Sequence, residues 1–169
     1  METRALIAAI LLGEPAIVAK VPDITSTYTT LDLSRCIVLE EGQAYASWRC
    51  NGYAGISLFV VEGDLRFDVS AGSERNEGWC SASANCAFNF PGATIEWRLK
   101  DGIPFAIIYR LNVSAGENGK RSSYLMVETI GTDGCRVARI DGTTHNANAV
   151  ARTAADAASK DRLPCIDAE

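Results

Sequence analysis

Apolar and polar side chains alternate most regularly over residues 94–113, where two strand-like patterns flank Asp101-Gly102. A period of two places one face of each strand against a core and the other face against solvent. The predicted core face is apolar and consists of Ile95, Trp97, Leu99, Phe105, Ile107, Tyr109, Leu111 and Val113. The predicted solvent face carries Glu96, Arg98 and Arg110. We therefore expect this hairpin at the centre of the fold.

The loop of this hairpin is predicted by requiring that the two apolar faces match. A two-residue loop would place Arg98 opposite Phe105, setting a charged side chain against an apolar one. A longer connection pairs Trp97 with Ile107 and keeps the two apolar faces together. We therefore predict a loop of about three or five residues, with Gly102 at positive φ.

Three more hairpins follow from the same alternation, over residues 36–50, 55–70 and 123–141. Their predicted cross-strand pairs are Val38 with Trp48, Val60 with Phe67 across a Gly63-Asp64 loop, and Glu128 with Arg139 across an Asp133-Gly134 turn. Each of these pairings sets matching faces of the two strands against each other.

One helix is predicted in the mature chain, over residues 146–160, with Asn146 as its N-cap. Its predicted buried stripe is made of small side chains: Val150, Ala151, Ala154, Ala157 and Ala158. The whole pattern predicts an α+β fold, in which one C-terminal helix packs on an antiparallel β-sheet of about seven or eight strands in a hairpin meander.

The N-terminal residues 1–19 have the pattern of a secretory signal peptide. Arg4 marks a short basic region, residues 5–12 are apolar, and Gly13-Glu14-Pro15 precedes the small residue Ala19. The alternative is an ordinary N-terminal core helix. We predict a signal peptide over 1–19, a single β-rich domain over 20–169, and no membrane span after removal of the signal.

The cysteine content agrees with export, since the chain contains six cysteines and one histidine. An even number without CxxC spacing favours disulfides over a zinc or redox site. Sequence alone does not choose among the possible connectivities. Local geometry favours sequential pairs, each closing a short loop: Cys36–Cys50, Cys80–Cys86 and Cys135–Cys165.

The composition excludes several classes of partner. A formal net charge of −5 provides no basic surface for nucleic acid. Residues 115–121 contain glycine and lysine, but Arg121 stands where a phosphate-binding loop needs Ser or Thr. We predict no metal site and no cofactor.

The segment 71–93 interrupts the strand pattern and carries Trp79, Phe88 and Phe90 among small and polar residues. A long irregular segment in a compact domain is often functional. We therefore predict a recognition loop that presents these aromatic side chains. The alternative, weighted more heavily, is a crossover whose aromatic residues cap the core.

Catalytic residues are not predicted. His145 precedes the helix and would serve as a general base only with a partner, and no nucleophile motif accompanies it. A capping or solvent-exposed histidine is the favoured interpretation. Glu96 and Glu128 would form a carboxylate pair on neighbouring strands, but surface ion pairs with Arg98 and Arg139 are the simpler assignment.

The runs SWRCNGYAGISLFVVEGDLRF (residues 47–67) and TIEWRLKDGIPFAIIYRLNV (94–113) resemble a family of small exported proteins from alphaproteobacteria. The lead-in YTTLDLSRC (28–36) and the tail ANAVARTAAD (147–156) fit the same pattern. The resemblance implies export into a bacterial envelope. It implies no activity and no site residues, because that family is uncharacterised.

We therefore predict a non-catalytic periplasmic or secreted binding protein that uses the 71–93 loop to recognise an unknown envelope protein or ligand. The alternative is a small cell-envelope hydrolase that uses His145 with a carboxylate. A third hypothesis is a structural envelope component, which would show a flat apolar surface patch.

Peptide mapping of the secreted protein without reduction tests the cysteine pairing. We expect three separate bridged peptides, one for each sequential pair. A bridge that joins Cys36 to Cys80 would contradict the scheme.

Overall fold

The structure is a computed structural model that describes residues 23–73, 87–115, 120–131, 134–161 and 163–166. Within these ranges the chain forms nine β-strands, one short 3₁₀ turn (Leu33–Arg35) and one α-helix. The elements are β1 (Ile24–Thr30), β2 (Ile37–Glu41), β3 (Tyr45–Tyr53), β4 (Ile56–Gly63), β5 (Arg66–Gly72), β6 (Asn89–Lys100), β7 (Ile103–Ala115), β8 (Lys120–Thr129), β9 (Arg136–Asp141) and α1 (Ala147–Ala158).

The strands form two antiparallel sheets. The first sheet has the strand order β1-β6-β7-β8-β9, and the second has the order β2-β3-β4-β5. Strand β5, at the edge of the second sheet, contacts β6, β7 and β8 of the first, and α1 packs on the first sheet. The predicted α+β fold with antiparallel strands and one C-terminal helix is therefore confirmed, with the strands divided between two sheets.

The β6–β7 hairpin lies at the centre of the first sheet and pairs Trp97 with Ile107, as predicted. The predicted loop of three or five residues is wrong. Asp101 (φ 51°) and Gly102 (φ 82°) form a two-residue turn, and the positive φ of Gly102 is confirmed. A β-bulge at Phe105 supplies the extra residue that keeps the apolar faces together. The bulge also places Phe105 beside α1 instead of between the sheets.

The β4–β5 turn lies one residue later than predicted. Asp64 (φ 50°) and Leu65 (φ 60°) occupy the turn, and the backbone N–H of Leu65 donates to Glu62 at 2.6 Å. Val60 consequently pairs with Val69 and not with Phe67. A shift of two residues leaves every side chain on the same face, so alternation could not distinguish these registers.

The β8–β9 hairpin also differs from its prediction. Val127 lies opposite Ala138, two residues from its predicted partner Ile140. The register shifts by one more residue before Glu128, which therefore lies opposite Arg136 instead of Arg139. Arg139 instead places its guanidinium 3.7 Å from the ring centroid of Tyr124. The predicted Asp133-Gly134 turn lies partly outside the described residues.

A hydrophobic core fills the space between the two sheets. Trp97 and Tyr109 are its largest fully buried side chains, and the second sheet contributes Leu58, Val60 and Val69. The indole N–H of Trp97 donates to the Thr29 hydroxyl at 2.8 Å, so its one polar atom is satisfied. The predicted core face of the central hairpin is therefore buried between the sheets, with Phe105 as the exception.

A second core lies between the first sheet and α1. Ala151 and Ala155 are fully buried against Ala106, Ile108 and Val127. Small side chains let the helix approach the sheet closely, as predicted, but Val150 of the predicted stripe is exposed. Asn146 is the N-cap residue in a left-handed conformation (φ 55°), and its side chain makes no capping hydrogen bond.

The helix also covers the face of β6 that was predicted to be solvated. Glu96 and Arg98 are buried beneath α1, and Arg110 is partly buried. The prediction was wrong because alternation shows which residues share a face, but not whether a later helix covers that face.

The described part of the chain contains two disulfides, one in each half of the sequence. Cys36–Cys50 links β2 to β3, and Cys135–Cys165 links the start of β9 to the segment after α1. Both pairs were predicted. The Cys80–Cys86 pair and the signal peptide predicted over 1–19 lie outside the described residues. In the part of the chain that the structure describes, no helix is long and apolar enough to cross a membrane.

The close approach of α1 predicts a sharp contrast between two alanine substitutions. Ala151→Leu inserts a large side chain where Ala151 is fully buried, so it should lower the free energy of unfolding by about 2 kcal/mol. Ala149→Leu, on the exposed side of the same helix, should change that free energy by less than about 0.5 kcal/mol. Urea unfolding measures both, and equal effects would contradict the packing.

Candidate functional site

The start of β6, together with Phe88 before it, is held by hydrogen bonds to both sheets. The anchor is Asn89, the first residue of β6, whose side chain is buried. The side-chain carbonyl of Asn89 accepts from the backbone N–H of Phe67 at 2.8 Å, and the backbone N–H of Asn89 donates to Leu65 at 3.0 Å. The carbonyl of Phe88 accepts from the N–H of Ser114, in the first sheet, at 2.7 Å. These bonds fix the backbone on either side of Asn89.

Phe88 and Phe90 flank this buried anchor and are exposed by 42% and 56%. The guanidinium of Arg66 lies 5.2 Å from the ring centroid of Phe88, within the range of a cation–π interaction. Leu65 is exposed beside them in the β4–β5 turn. We call this group of four, Leu65, Arg66, Phe88 and Phe90, the Phe88–Phe90 surface.

The structure describes only part of the predicted recognition loop, residues 71–73 and 87–93. Phe88 and Phe90 are exposed, whereas Trp79 lies outside the described residues. The ends of the segment 71–93 are not irregular, because β5 continues to Gly72 and β6 begins at Asn89. The alternation missed the start of β6 because a bulge at residues 92–94 separates it from the regular part of the strand.

His145 does not take part in a catalytic arrangement among the described residues. It is exposed in the turn before α1 and lines neither of the two clefts described next. The carboxylate pair considered for Glu96 and Glu128 is also not formed, because the two side chains lie on opposite faces of the first sheet and belong to separate clusters.

Two open clefts border α1. One, of about 310 Å³, lies beside its N-terminal half and is lined partly by Tyr28, Glu96, Arg110 and Arg152. The other, of about 410 Å³, lies near the Cys135–Cys165 disulfide and is lined by both apolar and polar residues, among them Phe105, Leu163 and Lys160. The charged groups Glu96 and Arg152 of the first cleft bind each other and are therefore already engaged.

The helix-side cluster consists of Glu96, Arg98, Arg152 and Asp156. Arg98 donates to both carboxylate oxygens of Asp156, with Nη2 at 2.7 and 2.8 Å. Arg152 donates to Glu96 through Nε at 2.6 Å and Nη2 at 3.2 Å. The hydrogen bond to Glu96 raises the pKa of Arg152; burial opposes this rise, and the negative charge of Glu96 adds to it. Two guanidinium groups thus balance two carboxylates and attach α1 to β6.

The inter-sheet cluster consists of Asp68, Tyr109, Glu128 and Arg136, one residue from each of β5, β7, β8 and β9. Nη2 of Arg136 donates to Asp68 Oδ1 at 2.6 Å and to Glu128 Oε1 at 2.9 Å. The Tyr109 hydroxyl lies 3.1 Å from each of the same two oxygens. The Asp68 side chain is 20% exposed and that of Glu128 is 6% exposed.

Burial is the largest cause of the raised pKa values of the three acidic groups in this cluster. Burial, and then the negative charge of Asp68, raise the pKa of Glu128 from its ordinary value of 4.5 to about 8, against the opposing charge of Arg136. Burial also raises the pKa of Asp68. Burial and the two neighbouring carboxylates raise the pKa of Tyr109 well above its ordinary value.

Sequence reasoning did not predict the inter-sheet cluster. Glu128 was assigned to Arg139, while Asp68, Tyr109 and Arg136 were not considered as site residues. One signal was present, since Glu128 is in phase with the buried Met126 on β8. A carboxylate in phase with an apolar face requires a buried partner, but the partner's identity depends on the register.

Among the described residues, no group of three or more side chains is placed to hold a metal ion. The fold and its sites define an antiparallel two-sheet α+β protein with disulfides. Comparisons with protein-family models, curated proteins and solved structures found no match to this chain.

The helix-side cluster predicts that Asp156→Ala destabilises the protein by about 2 kcal/mol. Removing this carboxylate leaves the buried guanidinium of Arg98 without its bidentate partner, and the partial exposure of Asp156 reduces the penalty below that of a fully buried pair. Asp161→Ala, which removes an equal charge just beyond α1, is the control. Urea unfolding should separate them; equal losses would show that Asp156 does not attach the helix.

Proposed function

We propose that this chain is an exported, non-catalytic binding protein that recognises an envelope protein or ligand through the Phe88–Phe90 surface. The observation that carries the proposal is the buried anchor Asn89 between two exposed phenylalanines. Its hydrogen bonds order the backbone before any partner arrives, so binding costs little conformational entropy there. The predicted role of Trp79 in the same surface is part of the proposal.

The composition of this surface supports recognition by an apolar partner surface. Exposed aromatic side chains contribute large apolar areas at low entropic cost, and arginine and aromatic residues are common in binding hot spots. Arg66 lies against the ring of Phe88, and its guanidinium also binds the carboxylate of Asp64, so its charge is already paired. The surface therefore offers mainly apolar area.

Export to the periplasm or to the exterior is supported by the cysteine chemistry. Both disulfides that the structure describes are compatible with an oxidising compartment, where such bonds form and persist. The signal-like residues 1–19 and the resemblance to exported alphaproteobacterial proteins point in the same direction. The alternative hydrolase has no supporting geometry among the described residues, because His145 is exposed and has no described carboxylate partner.

A structural envelope component remains a second candidate, because edge strand β2 is exposed along its whole length. Ile37, Val38 and Leu39 present apolar side chains there, and among the described residues β2 pairs with β3 and with no second strand. Association through this edge would appear as concentration-dependent oligomers in sedimentation velocity. It would persist when the Phe88–Phe90 surface is altered.

The binding proposal is tested by placing a photo-crosslinking amino acid at position 90 in the source cells. We expect a defined crosslinked product from position 90 and none from position 103, where Ile103 is 71% exposed on the β6–β7 turn. Phe88→Ala should weaken the crosslink at position 90. With the partner purified, Phe88→Ala together with Phe90→Ala should weaken binding by about 30-fold or more, the equivalent of one hot-spot residue.

Circular dichroism and thermal unfolding of the double variant provide the folding control. Both phenylalanines are exposed, so the melting temperature should remain close to that of the unaltered protein. The same crosslinked products from positions 90 and 103, or equal affinity of the double variant, would contradict the proposed surface.

A further inference from the structure

We propose that Asp68, Tyr109, Glu128 and Arg136 form a proton-binding site that holds one shared proton. The site links the two sheets to each other. Asp68 belongs to the second sheet and the other three residues to the first. The cluster thus supplies a charged link across the inter-sheet core. Its state of protonation would make the stability of that link depend on pH.

Counting hydrogen atoms between the oxygens supports this proposal independently of any titration. Nη2 of Arg136 carries two hydrogens; its two short contacts are to the carboxylates, at 2.6 and 2.9 Å, and a longer one of 3.4 Å reaches the Tyr109 oxygen. Tyr109 has a single hydroxyl hydrogen, yet its oxygen lies 3.1 Å from both Asp68 Oδ1 and Glu128 Oε1. With both carboxylates ionised, one of these two contacts would bring two lone-pair oxygens together without a hydrogen.

One added proton gives each of the two contacts between Tyr109 and the carboxyl groups its own hydrogen. A protonated Glu128 donates to the Tyr109 oxygen, and Tyr109 then donates to Asp68. Arg136 continues to donate to both carboxyl groups. The resulting chain of hydrogen bonds runs from β8 through β7 to β5. Each of its oxygen–oxygen contacts then has one donor and one acceptor.

Counting charges leads to the same result. Two carboxylates and one guanidinium carry a net charge of −1 when the carboxylates are both ionised, and one proton makes the cluster neutral. A net charge is costly in a desolvated site. The helix-side cluster differs because it contains two guanidinium groups for two carboxylates, so its charges already balance.

Glu128 is the better-placed carrier of the proton. Its side chain is less exposed than that of Asp68, so its charged form loses more hydration. The raised pKa of Glu128, about 8, is consistent with this assignment, and the pKa of Asp68 is raised as well. The two carboxyl groups share their partners, so the proton belongs to the pair.

The direction of the pH effect follows from linkage. Between pH 4.5 and about pH 8 the folded protein keeps a proton that the unfolded chain has released. Stability from this site is therefore complete below the unfolded pKa and is lost as the pH rises towards the folded pKa. For one retained proton, the folding equilibrium constant falls about tenfold per pH unit across that interval.

The test combines a stability profile with a direct measurement of protonation. Urea unfolding of the full chain at about pH 5.5, 6.5 and 7.5, all inside this interval, should show the folding equilibrium constant falling about tenfold per pH unit. Asp68→Asn and Glu128→Gln each leave one carboxylate for one guanidinium, so both should remove the fall. Glu41→Gln, which removes an equal charge from exposed strand β2, should keep it.

Carbon-13 NMR of the unaltered protein reads the carboxyl groups directly and does not depend on variants that fold. We expect one carboxyl carbon of the Asp68–Glu128 pair to change its chemical shift near pH 8 instead of near its ordinary pKa. Ordinary midpoints for both groups would overturn the proposal. So would a stability profile whose slope is unchanged in both Asp68→Asn and Glu128→Gln.

Discussion

Both faces of strand β6 are buried, and this constraint determines much of the remaining structure. Trp97 and Leu99 pack into the core between the sheets, while Glu96 and Arg98 lie beneath α1. Charged groups in such a place need partners, because burial removes the water that would otherwise solvate them. Arg152 and Asp156 supply those partners from the helix. The position of α1 is therefore set by its small residues and by its two charged contacts.

The two charged clusters described above lie on opposite faces of the first sheet and differ in their balance of guanidinium and carboxylate groups. The helix-side cluster has equal numbers of guanidinium and carboxylate groups, so it acts as a fixed attachment. The inter-sheet cluster has one carboxylate in excess, and a proton is the smallest ion that restores balance. Replacing Arg136 with an uncharged residue would leave two buried carboxylates facing each other, which is the costlier arrangement.

Strand β5 connects the Phe88–Phe90 surface with the inter-sheet cluster. The backbone N–H of Phe67 binds the Asn89 anchor, and the next residue, Asp68, enters the charged cluster. The exposed phenylalanines are thus supported by a strand whose attachment to the first sheet is ionic as well as apolar. A rigid support of this kind is what a preorganised binding surface requires.

The sequence by itself determined the α+β class, the central hairpin, the two described disulfides and the location of the C-terminal helix. Period-two alternation specifies the face on which each side chain lies, and these assignments hold for Trp97 and Ile107. It does not distinguish registers that differ by two residues, so the partner of Val60 was wrong. It also does not show the irregularity between Val127 and Glu128, so the partner of Glu128 was wrong by three residues. Phe88 and Phe90 are exposed, and their role in recognition stays a prediction. Only the tertiary structure decided that Glu96 and Arg98 are covered and that Asp68 meets Glu128, because both depend on contacts between distant segments.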